Sequence, residues 1–126
     1  MTNILPNLKY AESDEWFDPS SGKVGLSDFA QNSLSDIVFV EILVEAGDEV
    51  KAGAAIASVE SVKASAEVYS PVSGKIVAVN SGLADAPETI NSDPYGAAWL
   101  IQVEGADASG MMDAAAYETS TAARDH

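Results

Sequence analysis

The sequence predicts a mainly β fold, a sandwich or barrel of short strands. Apolar runs recur with turn signals about every 8–12 residues, the spacing of strands in an all-β domain. Within residues 75–79 the side chains alternate, Ile76 and Ala78 against Val77 and Val79, with the two-residue period of a half-buried strand. Glycines stand singly between such runs, at Gly47, Gly53, Gly74 and Gly82, where turn geometry is their expected role.

Taken in order, residues 1–8 read as an irregular leader, because Pro6 opposes a regular element. Residues 10–17 predict one short strand or two, with Trp16 and Phe17 as core anchors. The Asp18-Pro19-Ser20-Ser21-Gly22 cluster is a turn, Pro fixing φ and Gly supplying positive φ, so residues 23–26 return as the second arm of a hairpin. Ser27 or Asp28 can cap a helix over 28–34, where Phe29, Ala30 and Leu34 fall at helical spacing. A helix this short needs a surface to pack on. Residues 37–44 are the most β-like run of the chain. A turn at 45–48 and a turn-rich step at 49–53 follow, then paired strands at 54–59 and 64–69, a turn at 70–74 and a strand at 75–79. Residues 80–96 read as a loop with one or two helical turns near 83–90, Pro87 opposing a longer helix. Residues 99–103 predict a closing strand and 105–110 a flexible acidic link. Residues 111–118 predict a helix with Met112, Ala115 and Ala116 on one face and Asp113 at its N-terminal end, where a negative charge suits the dipole. Residues 119–126 are expected to fray. A chain of 126 residues fits one domain, and it is long enough to bury about two-thirds of its unfolded surface.

Composition narrows the function. The formal net charge is −14, from 20 acidic and 6 basic residues. Such a surface repels phosphate backbones and anionic membranes and favours partners with a basic rim, so neither nucleic acid nor membrane is an expected partner. Solubility alone also accounts for much of the charge. No apolar run approaches the ~20 residues that span a bilayer, and the N-terminus carries neither a signal-peptide nor a transit-peptide pattern, which makes the cytoplasm the expected location. Cysteine is absent and the one histidine is His126. Thiolate chemistry, a histidine base and Cys- or His-based metal sites therefore drop out, and no Gly-rich phosphate loop is present. With so many acidic residues, paired carboxylates are expected by chance. The residue types suit a binding or carrier module better than an enzyme, with no catalytic residue and no metal site expected.

Lys63 is the candidate that survives. It stands between the runs at 56–62 and 64–69, and if these pair as a hairpin it lies at the tip. A hairpin tip on a rigid scaffold is open to a partner enzyme, and lysine adds a flexible four-carbon stem ending in an amine that loses its charge when acylated. An ordinary solvated surface lysine is the competing reading.

The segment Val59-Glu60-Ser61-Val62-Lys63-Ala64, followed by Tyr69-Ser70-Pro71-Val72-Ser73-Gly74, closely resembles the lipoylation site of the glycine cleavage system H proteins. The resemblance extends to Glu15-Trp16, to Val24-Gly25-Leu26-Ser27-Asp28-Phe29-Ala30-Gln31, and to Leu34-Ser35-Asp36-Ile37-Val38-Phe39-Val40-Glu41. It continues through Asn91-Ser92-Asp93-Pro94-Tyr95-Gly96 and Trp99-Leu100, covering about residues 10–118. It implies a flattened β-barrel of the lipoyl/biotinyl-carrier type with short helices and a C-terminal helix, and lipoate in amide linkage to Lys63. It also implies three partners besides the lipoylating enzymes. A pyridoxal-phosphate glycine decarboxylase loads an aminomethyl group, a tetrahydrofolate-dependent aminomethyltransferase removes it, and a dihydrolipoyl dehydrogenase reoxidises the carrier, which is expected to be monomeric. In that family the loaded arm folds into a surface cleft, to which segments 27–36 and 80–95 are expected to contribute here. Val59 and Val62 are expected to anchor the base of the tip, with Glu60 and Ser61 keeping it polar and Glu60 either meeting the lipoylating enzyme or standing as an ordinary strand residue.

This chain departs from the family pattern in three places. Asp14 stands where the family commonly has His before Glu-Trp. Segment 41–47 lacks a proline often found there and is one residue longer, which a bulge or wider turn would absorb. Ala64-Ser65-Ala66-Glu67 follows the family pattern only loosely. These departures leave open an H-like paralogue serving as lipoyl donor or carrier for other lipoate-dependent enzymes. A lipoyl domain of a 2-oxo acid dehydrogenase usually has Asp-Lys-Ala at the site, and a biotinyl domain needs methionines beside the lysine, where Val62 and Ala64 stand here. A non-carrier interaction protein of the same fold would have little use for an intact Lys63 segment.

Overall fold

The computed structural model describes residues 4–108 and 110–124. In chain order the elements are β1 (Lys9–Tyr10), β2 (Glu15–Phe17), β3 (Lys23–Leu26), α1 (Asp28–Leu34), β4 (Ile37–Ile42), β5 (Glu49–Val50), β6 (Ala55–Ser61), β7 (Ser65–Tyr69) and β8 (Gly74–Val79). A 3-10 turn (Ser81–Asp85), α2 (Thr89–Ser92), β9 (Ile101–Glu104) and α3 (Ala114–Arg124) complete them. They form two antiparallel sheets, one of six strands in the order β1-β2-β3-β9-β8-β5 and one of three in the order β4-β6-β7. No helix among the described residues is long and apolar enough to cross a membrane.

The expected hairpin at 10–26 forms as β2 and β3. Asp18 closes its turn, accepting from the Ser20 amide at 2.9 Å and from the Gly22 amide at 2.7 Å through its backbone oxygen. Gly22 has φ +82, and a Cβ there would meet the Val103 carbonyl oxygen at 2.2 Å, so only glycine fits. Trp16 lies opposite Gly25 in the ladder, and its indole covers the space a side chain at 25 would need. Its Nε1 donates to the Pro94 carbonyl at 3.0 Å, which satisfies the buried polar end of the ring.

Ser27 is the cap of α1, its hydroxyl accepting from the Ala30 amide at 3.2 Å. The helix ends where Ser35 turns to φ 67. Asn91 then fastens α1 to the small sheet. Its Oδ1 accepts from the Ile37 amide at 2.8 Å, and its Nδ2 donates to the Ser35 carbonyl at 2.8 Å and to Gln31 Oε1 at 3.0 Å.

Val40, Val59 and Val68 of the small sheet and Val24, Ile76, Ile101 and Val103 of the large sheet share one core, closed by Leu83, Ile90 and Leu100 from the 80–100 segment. A second, aromatic cluster joins Leu8, Tyr10, Trp16 and Tyr117. The Tyr10 and Tyr117 rings stack with centroids 4.4 Å apart and planes 2° from parallel.

Several boundaries differ from the sequence expectation. The helix expected at 111–118 begins at Ala114 and runs to Arg124, so the frayed tail expected from 119 is helical up to there. Thr121 is buried, which supplies the packing that propensity alone did not predict. Residues 125 and 126, including His126, lie outside the described residues, as do residues 1–3 of the leader. Glu49 and Val50, read as part of a turn, form β5 because they find β8 as a partner. Trp99 and Leu100 precede β9 rather than starting it. In the turn at 45–48 Gly47 has φ +99 and the Glu45 amide donates to Asp48 Oδ2 at 2.9 Å. The irregularity in β4 sits earlier, between Ile37 and Phe39.

Candidate functional site

Lys63 is exposed at the tip of the β6–β7 hairpin, where the sequence put it. The ladder runs through Glu60 opposite Ser65, and the Ser61 amide donates to the Ala64 carbonyl at 2.7 Å, leaving Val62 and Lys63 as the turn. Two-residue hairpin turns commonly require positive φ, and no residue of this one has it. The Ser61 hydroxyl takes over instead, accepting from the amides of Lys63 at 3.3 Å and Ala64 at 3.1 Å and donating to the Ala64 carbonyl at 3.1 Å. The Val62 amide donates to the Asp36 carbonyl at 3.1 Å, which ties the tip to the start of β4. The base of the lysine is thereby fixed while its side chain extends into solvent.

The expected anchoring pair is half realised. Val59 is buried, but Val62 is 68% exposed, because it has the outward parity of Glu60 and belongs to the turn. Glu60 is exposed on β6 and Glu67 on β7, so the surface leading to the tip is acidic.

A cleft of about 180 Å³ opens beside this hairpin. Its floor is apolar, from Leu26, Val59 and Val68. One wall is α1, through Ala30, Ser33 and Leu34, and the other is the turn before β2, through Ser13 and Asp14. Ala66 and Glu67 of β7 lie on the side towards the tip. At ~3.3 Å per residue along a strand, these two lie roughly 10–13 Å from Lys63. Segment 27–36 lines this cleft, and segment 80–95 does not. The latter packs against β4 and, through Ser81 and Ala84, lines a separate groove of about 330 Å³ with Phe39, Val40, Glu41 and Ile42. Leu83 and Ile90 hold it there by entering the core.

Next to the cleft wall sits Glu15, a carboxylic acid only 1% exposed. Burial raises its pKa from 4.5 to about 7, against the hydrogen bonds from Ser13 Oγ and from the Tyr69 amide at 3.1 Å, which favour the charged form. Ser13, Asp14, Glu67 and the buried state of Glu15 could not be assigned from sequence. Their placement depends on a turn whose last residue, Asp14, has φ +76, a conformation that Asp adopts more readily than most residues but that no local motif announces here.

The sequence model described as Glycine cleavage H-protein matches residues 8–124. The glycine cleavage system H protein of Idiomarina loihiensis is 48% identical, with 95% of this chain and 97% of that one covered. That of Halalkalibacterium halodurans is 54% identical over 86% of each. The crystal structure of a glycine cleavage system H protein from Mycobacterium marinum superposes with a TM-score of 0.84 at 34% identity, covering 94% of this chain and 99% of that one. With the fold, the near-complete coverage and the level of identity in agreement, the chain belongs to the glycine cleavage H-protein family.

Proposed function

We propose that this protein is the lipoyl carrier of a glycine cleavage system, with lipoate in amide linkage to Lys63 Nζ. The observation that carries the reading is the exposed Lys63 on a turn fixed by the Ser61 hydroxyl, beside a cleft with an apolar floor and a carboxylate rim. The residues fit the group. Leu26, Leu34, Val59, Ala66 and Val68 offer an apolar bed to an alkyl chain, and Asp14 and Glu67 suit a cationic amine at its end. When bound, lipoate supplies the disulfide–thiol chemistry by which an aminomethyl group passes from a pyridoxal-phosphate decarboxylase to a tetrahydrofolate-dependent aminomethyltransferase, before a dihydrolipoyl dehydrogenase restores the disulfide.

The chain's own work is presentation and shelter. The Lys63 stem provides reach, the Ser61 and Asp36 contacts hold its base, and the cleft excludes water from what it receives. The chain performs none of the bond-making steps, which belong to the cofactor and the partner enzymes. The acidic surface speeds encounters with partners bearing a basic rim. The protein acts as a monomer in the cytoplasm, where such partners would meet it.

The test is complementation of a strain that lacks its own H protein. The wild-type chain is expected to restore growth on glycine as one-carbon source, and Lys63→Arg is not. Failure of the wild-type chain, once shown to be lipoylated, would replace this reading with that of an H-like paralogue serving other lipoate-dependent enzymes.

A further inference from the structure

Tyr117 of the last helix is fully buried, yet its hydroxyl reaches one wall of the cleft directly and the other through Ser27. It donates to Asp14 Oδ1 at 2.9 Å, and Asp14 lines the wall formed by the turn before β2. It also lies 2.6 Å from the Ser27 hydroxyl. Because the one Tyr117 proton goes to Asp14, Ser27 is the donor in that second bond. Ser27 Oγ in turn accepts from the Ala30 amide, and Ala30 lines the opposite wall. An unbroken relay thus runs from the Ala30 amide through Ser27 and Tyr117 to Asp14, each bond polarising the next. A backbone bond parallels it, the Ser27 amide donating to the Asp14 carbonyl at 2.9 Å. Asp14 is held at φ +76 throughout, a conformation that persists where its surroundings impose it.

We propose that Tyr117 is a positioning residue for the arm: through Asp14 and Ser27 its hydroxyl sets the spacing of the cleft walls, so the C-terminal helix governs how firmly the loaded arm is held. The inference rests on the carrier reading above. It adds a residue distant in sequence from every segment assigned to the cleft, and it gives α3 a part in the carrier's work.

Tyr10 provides the control. Its ring stacks on that of Tyr117, but its hydroxyl exchanges bonds with the backbone of Leu5 and meets the Tyr95 hydroxyl, outside the relay. Tyr117→Phe and Tyr10→Phe therefore remove the same atom from the same stack, and of the two hydroxyls only that of Tyr117 bonds to a residue lining the cleft. Each lipoylated protein is loaded with the aminomethyl group. Its loss to water is then followed as formaldehyde and ammonia released, with the carbon–sulfur bond broken and a thiol left on the arm. The loaded wild-type arm is expected to lose the group at least ten-fold more slowly than the same arm on urea-unfolded protein. Tyr117→Phe is expected to forfeit most of that protection, while Tyr10→Phe keeps it.

A second readout needs no lipoate. In the unmodified protein, amide exchange at Ser27 and Ala30 is expected to rise about ten-fold in Tyr117→Phe and to stay within two-fold of wild type in Tyr10→Phe. Equal loss of protection in both variants would reduce Tyr117 to a stability role, and full protection in Tyr117→Phe would overturn the proposal. No protection in the wild type would instead overturn the carrier reading itself, leaving the exchange result to judge the relay.

Discussion

The Ser61 hydroxyl accepts the amides of both Lys63 and Ala64, at 3.3 and 3.1 Å, and so does in this turn what a left-handed residue does in most tight hairpins. The lysine is presented by a side chain two residues before it. Ser61→Ala is expected to cost about 0.5–1.5 kcal/mol, the net value of a hydrogen bond at a site open to water, read as a lower denaturation midpoint with an unchanged m-value. It is also expected to slow lipoylation of Lys63 several-fold without abolishing it, and Ser61→Thr is expected to restore most of the rate. A Ser61→Ala protein modified at the wild-type rate would show that the tip is ordered by the enzyme rather than by the turn.

Glu15 gives the protein a pH dependence of defined sign. Burial raises its pKa from 4.5 to about 7 in the folded state, so the folded protein holds this proton more tightly than the unfolded chain. The associated stability is complete below about pH 4.5, is lost as pH rises towards 7, and changes little beyond. At 1.36 kcal/mol per pKa unit the loss is up to about 3 kcal/mol. Glu15→Gln cannot ionise and keeps an acceptor for the Tyr69 amide. The stability of wild type relative to Glu15→Gln is therefore expected to fall across that window, measured by urea unfolding at pH 4.5, 6 and 7.5. A constant difference between the two proteins would mean that Glu15 ionises in the fold as easily as in the unfolded chain.

Asn91 joins the segment after β8 to both α1 and β4, through bonds to the Ile37 amide, the Ser35 carbonyl and Gln31. Asn91→Ala leaves those groups without this partner and is expected to cost about 2–3 kcal/mol. Because α1 forms a cleft wall, faster amide exchange should appear at Ile37 and along 28–35 before it appears in β8 and β9. Exchange rising uniformly over the whole chain would show that Asn91 acts on global stability alone.

How far the sequence foretold this site depends on how local each determinant is. Gly22 as a turn residue, Lys63 between two strands and a cap at Ser27 or Asp28 are decided within a few residues, and pattern is enough to find them, the structure choosing Ser27. Glu49 and Val50 were not found as a strand, because β8, twenty-five residues further on, makes them one. The tail after Glu118 was expected to fray because helix propensity does not report that Thr121 and Tyr117 would be buried. The cleft was half legible. Its α1 wall lay in a segment already singled out, but the Ser13–Asp14 wall depends on a positive φ and on a tyrosine 103 residues away. Val62, expected as an anchor with Val59, stands three residues on and so faces the other way, in the turn.

Attachment of lipoate to Lys63 is tested by the intact mass of this protein after co-expression with a lipoylating enzyme and lipoate. The expected result is one added lipoyl group, mapped to the peptide containing Lys63 and absent from Lys63→Arg. An unmodified Lys63 in wild-type protein, while a known lipoyl domain in the same cells is fully labelled, would contradict the account.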